Sequence, residues 1–169
     1  MNNKKELSVL FVCMNNICRS PTAEGTLRHL LKAEALHEQV TVDSAGTHGY
    51  HAGEGVDSRT RQAATLRGYD LSHVRARKVV PQDMEDFDLI LAMDEGNMEY
   101  LQKLVMPCKT PRIELFMNYA RYFDEREVPD PFYGLGFGFD LVLDMIEDAS
   151  EGLMAHLKQE LSKHNAWKS

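Results

Sequence analysis

Cys13-Met14-Asn15-Asn16-Ile17-Cys18-Arg19-Ser20 follows directly on the apolar run Leu7-Ser-Val-Leu-Phe-Val12 and passes through Pro21 into a helical pattern. The apolar run reads as a strand buried on both faces, as in a parallel sheet. Ser20-Pro21 reads as a helix start, because proline is tolerated where no N–H is needed. Beyond it Ala23, Leu27, Leu30, Leu31 and Ala35 recur on one helical face. The segment therefore predicts strand, tight loop and helix, with a thiol at the strand end and a guanidinium at the helix N-terminus.

That arrangement has a chemistry. N–H groups of Met14, Asn15, Asn16, Ile17 and Cys18 turned into such a loop, together with the helix dipole, make a site for a dianionic oxyanion. The same field favours the thiolate form of Cys13. Arg19 can hold two oxygens of a phosphoryl group bidentately, which a lysine could not reproduce. A nucleophilic sulfur under a phosphate cradle points to phosphate-ester chemistry through a cysteinyl-phosphate intermediate. Taken without its context, the same spacing fits a buried structural cysteine beside a surface arginine.

The rest of the chain frames this site. Its 169 residues suit one domain with a core large enough to need no staples. A net charge of −7 argues against nucleic acid and against an anionic membrane surface, and means that an anion site must be made locally. Cysteines at 13, 18 and 108 match neither a disulfide framework nor a zinc cluster. The polar start Met1-Asn-Asn-Lys-Lys-Glu6 lacks a signal-peptide core, and no apolar run approaches the ~20 residues that span a bilayer. The expected compartment is a reducing cytoplasm.

Apolar runs at Val9–Cys13, Val40–Ser44, Phe87–Met93 and Arg112–Phe116 read as strands, with helices near 20–36, 57–68, 95–105 and 138–163. In the last, Leu141, Met145, Ala149, Leu153, Leu157 and Leu161 recur every four residues beside Val142 and Ile146, a core-facing stripe. Strands alternating with helices imply an α/β fold with a parallel sheet and right-handed crossovers. Ligands in such sheets bind beyond the carboxyl ends of the strands. Cys13, Ser44 and Asp94 each follow an apolar run, so all three are expected on one rim.

The stretch Val12–Pro21 resembles the phosphate loop of low-molecular-weight protein tyrosine phosphatases. The likeness continues through Asp43-Ser44-Ala45-Gly46-Thr47, Leu71-Ser-His73 with Ala76-Arg77, Met93-Asp94-Glu95 and Asp130-Pro131-Phe132-Tyr133. It implies a three-layer sandwich with a central four-stranded parallel sheet in the order 2-1-3-4, the phosphate loop lying at the C-terminal end of strand 1. It implies hydrolysis of protein phosphotyrosine, with Cys13 as nucleophile, Arg19 as clamp, and Asp130 as proton donor and then base. Alone, Asp-Pro would be only a turn signal.

By the same resemblance Asn16, Ser20, Ser44 and His73 brace the loop through hydrogen bonds. Asp94 fits a helix N-cap or a partner of the loop, and the cap is the simpler reading. Tyr50 on one side, and Tyr133 with Phe132 on the other, are expected to wall a cleft deep enough to exclude phosphoserine. Outside the resemblance, Tyr50 is a solvated loop aromatic and His73 a turn histidine.

No metal or cofactor is implied. The expected partners are a phosphotyrosine-bearing protein as substrate and inorganic phosphate as product, acted on by a monomer. Asn15 stands where many members carry glycine, and asparagine tolerates a left-handed backbone. Phe132 replaces the first of two adjacent tyrosines, which puts regulation through a tyrosine pair in doubt. Arsenate-reducing relatives need two further thiols on a mobile segment, and residues 74–92 contain none. A protein-arginine branch carries Thr where this chain has Ile17, and a binding module would not need Cys13, Arg19 and Asp130 together. Cys18, close to Cys13 in the loop, is expected to make the site redox-sensitive by closing a disulfide on oxidation.

Overall fold

A computed structural model of the chain describes residues 6–105, 111–133 and 138–168. Its central strand is β1 (Leu7–Cys13), in which Val9, Leu10, Phe11 and Val12 have no solvent exposure. It pairs in parallel with β2 (Val40–Gly46) on one side and β3 (Leu89–Ala92) on the other. β3 pairs in parallel with β4 (Arg112–Leu115), so the sheet runs β2-β1-β3-β4, the order the resemblance implies. Cys108 lies outside the described residues.

Alternation along β1 divides the core between two faces. Val9, Phe11 and Cys13 point toward α1 (Arg19–Ala33) and α5 (Gly138–Lys168), among Leu27, Leu31, Ile146 and Leu153. Leu10 and Val12 point the other way, toward Met84 of α3 (Asp83–Asp86) and Leu101 of α4 (Glu95–Gln102). Helices on both faces make the three layers, and burying each large aliphatic or aromatic side chain contributes ~1.5–3 kcal/mol. Phe11 meets Phe116 edge-on, with ring centroids 5.0 Å apart. α2 (Ser58–Leu66) docks on α5 through Arg67, just past its end, which bonds Asp144 at 2.7 Å and Glu147 at 3.0 Å.

Three local readings change. α3 has only four residues, too short to show a helical period in sequence. Leu141 is 48% exposed, whereas Val142, Met145, Ile146 and Leu153 are buried. Four-residue steps overshoot a 3.6-residue turn, so three of them carry Leu141 roughly 120° away from Leu153. Ala35 lies beyond α1 at φ 57° rather than on its apolar face. Leu36 N–H bonds back to Leu31 C=O at 2.8 Å, which makes Ala35 a left-handed helix stop where glycine is the unstrained residue.

Ala35 is exposed, so its replacement disturbs no packing. Relief of left-handed strain of ~1–2 kcal/mol is partly offset by the greater unfolded-state freedom of glycine. Ala35→Gly should therefore stabilise the protein by ~0.5–1 kcal/mol in urea unfolding. An unchanged or lowered midpoint would contradict the strained-stop assignment.

Candidate active site

Residues 14–18 turn between β1 and α1 on the C-terminal rim of the sheet, and neighbouring segments take up their carbonyls. Cys13 C=O accepts from Thr47 N–H at 2.9 Å, Met14 C=O from His48 N–H at 2.9 Å, and Ile17 C=O from Asp57 N–H at 2.9 Å. Cys18 C=O accepts from the Thr22 hydroxyl at 2.7 Å and from its N–H at 3.2 Å. At the centre of the loop Asn16 N–H donates to Cys13 Sγ at 3.2 Å. The left-handed residue that lets the chain curl is Asn16, at φ 57°, rather than Asn15. Asn15 is buried, and its Oδ1 has no partner among the described residues.

Cys13 Sγ lies 3.0 Å from Ser20 Oγ. Ser20 Oγ accepts from Asn16 Nδ2 at 2.8 Å, and the same amide donates to Ser44 Oγ at 3.0 Å. Ser44 in turn donates to Glu24 Oε1 at 2.7 Å. The structure thus brings Ser20 and the Asn16 N–H to the sulfur, with Ser44 one bond further out through the Asn16 amide. Ser20 makes no helix cap, because its hydroxyl is committed to the loop. The His73 side chain is 55% exposed and reaches the far end of this network, its Nε2 4.0 Å from Glu24 Oε2.

Glu24 was not legible as a site residue, although a signal existed. It lies four residues after Ser20 on the face that carries Leu27 and Leu31, a carboxylate where an apolar side chain is the rule. Burial raises its pKa, while Ser44, Arg28 and His73 pull it down. Arg77 was likewise quoted only as a match. Its backbone N–H holds Asn16 Oδ1 at 3.0 Å, and its guanidinium bonds Asp83 and Asp43, each at 3.0 Å.

Arg19 is only 3% exposed. Its Nη1 donates to Asp94 Oδ2 at 2.7 Å and to Val128 C=O at 2.9 Å, and its Nη2 lies 3.5 Å from Asp130 Oδ2. Burial would weaken its charge, but negative surroundings, Cys13 first and then Asp94 and Asp130, outweigh that and raise its pKa. Asp94 also caps α4. Its Oδ1 accepts from Asn97 N–H at 2.8 Å, and Asn97 Oδ1 returns a bond to Asp94 N–H at 3.2 Å, a capping box on α4.

A small cavity has Cys13, Ile17, Cys18, Arg19, Asp130 and Phe132 among its lining residues. Phe132 N–H holds Asp130 Oδ1 at 3.0 Å, which leaves Oδ2 on the Arg19 side. Tyr50 is 73% exposed and stacks on His48, with ring centroids 5.3 Å apart, and is not among the residues that line this cavity. Tyr133 ends the 3-10 turn Pro131–Tyr133, and the wall expected of its side chain lies outside what is described. The Cys18 thiol is pushed up to about 12, chiefly by burial, so it stays protonated at neutral pH. No helix among the described residues is long and apolar enough to cross a membrane.

Gly46 fixes how closely the loop can approach β2. A Cβ built there would lie 2.7 Å from Met14 O and 3.1 Å from Asn15 C and Asn16 N. Gly46→Ala should therefore displace the cradle, costing ~1–3 kcal/mol of stability. It should also weaken competitive inhibition by inorganic phosphate about tenfold, on the order of the loss from a small misplacement. Unchanged phosphate affinity in this variant would show that the cradle does not rest on Gly46.

Comparison with known proteins agrees with this geometry. The family model described as low molecular weight phosphotyrosine protein phosphatase matches residues 8–163. A low molecular weight protein-tyrosine-phosphatase of Streptomyces coelicolor is 38% identical, covering 90% of this chain and 94% of its own. The human low molecular weight phosphotyrosine protein phosphatase is 41% identical, covering 80% of this chain and 85% of its own. A crystal structure of a protein tyrosine phosphatase from Entamoeba histolytica superposes with a TM-score of 0.87 at 38% identity, covering 91% of this chain and 98% of that one. On its strand order, its loop and these relatives, the chain belongs to the low molecular weight phosphotyrosine protein phosphatase family.

Proposed function

We propose that this protein tyrosine phosphatase hydrolyses protein phosphotyrosine and other aryl phosphates in two steps through a cysteinyl phosphate, as a single domain in a reducing cytoplasm. The observation that carries the reading is the meeting at Arg19. One buried guanidinium, on the residue that ends the loop from Cys13, holds the Val128 carbonyl and lies 3.5 Å from Asp130 Oδ2, and it lines one cavity with Cys13 and Asp130. In the first step the Cys13 sulfur attacks phosphorus, the S–P bond forms and the P–O bond to the aryl group breaks. The departing phenolate takes its proton from Asp130. In the second step water attacks phosphorus and gives its proton to Asp130. The S–P bond then breaks, releasing inorganic phosphate and the thiolate.

Each supporting group has its part. The loop N–H groups and the Arg19 fork hold the equatorial oxygens, and hold them best when the phosphoryl group flattens. Ser20 and Asn16 N–H, both on Cys13 Sγ, stabilise the thiolate as it leaves. Phe132 supplies an inner aromatic wall, while Tyr50, with one face on His48 and the rest exposed, offers an outer one. Such aromatic contacts contribute ~0.5–1.5 kcal/mol each. Ile17, apolar at the cavity, favours an aryl over a guanidinium leaving group.

Asp130→Ala should slow phosphoenzyme formation ~10²–10⁴-fold for phosphotyrosine peptides and far less for activated aryl phosphates. Equal losses across leaving groups would remove Asp130 from the proton-donor role. Cys13→Ser should abolish turnover while keeping phosphate binding, because the cradle is backbone and Arg19. Turnover above about one per cent of wild type would argue against a sulfur nucleophile.

Cys13 and Cys18 are both free, buried and on one cavity, which supports a redox function. Peroxide would oxidise Cys13 to the sulfenic acid. The Cys18 sulfur would then attack that of Cys13, giving up its proton to the hydroxyl as the S–O bond breaks, so that water leaves and the disulfide closes; a dithiol would reopen it. Cys18→Ser should leave basal hydrolysis largely intact but make peroxide inactivation unrecoverable by dithiothreitol. Full recovery of that variant would show that Cys18 only packs.

A further inference from the structure

Asp130 depends on the residues that hold its loop. Upstream, Val128 N–H bonds Met93 C=O at 2.8 Å and Val128 C=O accepts from Arg19 at 2.9 Å. Glu127 Oε2 accepts from Glu95 N–H at 2.8 Å at the start of α4. Downstream, the loop meets Arg59 in the first turn of α2. Arg59 Nη2 donates to Phe132 C=O at 3.2 Å. Its guanidinium carbon lies 5.6 Å from the ring centre of Phe132 and 4.8 Å from that of Phe139 in the first turn of α5.

The anchor for Arg59 is Asp57. The Asp57 carboxylate caps α2 through Arg59 N–H at 2.9 Å and Thr60 N–H at 3.3 Å. It also takes Arg59 Nε at 3.3 Å and Nη2 at 3.2 Å. Asp57 N–H in turn donates to the carbonyl of Ile17 in the phosphate loop. A single path thus runs from the Ile17 carbonyl through Asp57 and Arg59 to the Phe132 carbonyl, and from the Phe132 N–H to Asp130 Oδ1.

We infer that Arg59 is a positioning residue for the proton transfer by Asp130, an inference that rests on the reading of Asp130 as the acid. An arginine side chain 46% exposed gains little stability from an ion pair. What its planar fork supplies here is direction, since it bonds carboxylate and carbonyl while its faces lie against two rings. The Phe132 carbonyl and the Phe132 N–H lie in successive peptide units joined at the Phe132 Cα. Holding the carbonyl, with the ring against the guanidinium, therefore restrains that residue within the turn Pro131–Tyr133 and with it the direction of its N–H. That N–H occupies Asp130 Oδ1 and keeps the transferable proton on Oδ2, beside Arg19. If Phe132 turns, its N–H leaves Asp130 Oδ1, the carboxyl rotates and the proton points away from the departing oxygen.

The test is single-turnover phosphoenzyme formation by Arg59→Met and Arg59→Lys with a phosphotyrosine peptide and with para-nitrophenyl phosphate. Both variants should lose ~10–100-fold with the peptide and within ~3-fold with the activated ester, the pattern of a misplaced acid. Inhibition by inorganic phosphate should stay within ~2-fold of wild type, because the cradle is intact. In an Asp130→Ala background, Arg59→Met should cost nothing further, since the two act as one unit. Equal losses on both substrates, near-normal peptide turnover by either variant, or a full additional loss in the Asp130→Ala background would overturn the inference. If Asp130→Ala responds to the leaving group and Arg59→Met does not, the positioning role alone falls. If Asp130→Ala shows no leaving-group dependence, the acid assignment falls, and the Arg59 inference falls with it.

Discussion

A guanidinium with 3% of its surface exposed cannot stand in a protein interior without compensation. Arg19 receives it from three directions: Asp94 at the head of α4, the carbonyl of Val128, and Asp130. Those partners lie far from Arg19 in the chain, Val128 by 109 residues. The need to surround one charge therefore draws α4 and the loop ahead of α5 onto the end of β1. A lysine could not do this, because its compact head cannot face several acceptors in one plane. The charge that would hold a phosphoryl group also organises the loop that bears Asp130.

Beneath the loop a second set of constraints works without net charge. Asn16 is the hub, with its amide nitrogen shared between Ser20 and Ser44 and its oxygen held by Arg77 N–H. Such a network has little freedom to rearrange, since each hydroxyl already has its partners and an orphaned polar group here costs ~1–3 kcal/mol. Gly46 lets β2 approach the loop closely enough for these bonds to form. The left-handed backbone of Asn16 points its side chain down into the network while its N–H faces the sulfur. Rigidity is the functional gain, because preorganised dipoles need no reorientation as charge develops.

Much of this was legible because it is local. A fully apolar run ending in Cys13 announced the central strand, and Ser44 and Asp94 after their own runs announced a shared rim. The resemblance supplied Asp130, which no local pattern singles out. What escaped the sequence depends on tertiary approach. The Val128 contribution is a backbone carbonyl and has no side-chain signature. Arg59 acts through a peptide group 73 residues away, and Arg77 through its own N–H. Glu24 was visible as a misplaced charge on an apolar face, but its partner Ser44 comes from another strand. Leu141 and Ala35 show the opposite limit, where periodicity runs past the point at which the helix faces the core.

In the proposed reaction the phosphoryl group rests on the Cys13 sulfur between the two steps. The most direct test is to acid-quench the enzyme during turnover of an aryl phosphate, digest it, and locate the added mass. The account predicts one phosphoryl group on the peptide that carries Cys13, appearing before steady state and absent from Cys13→Ser. A phosphoryl group on another residue, or full turnover with no trapped phosphoenzyme at any quench time, would contradict it.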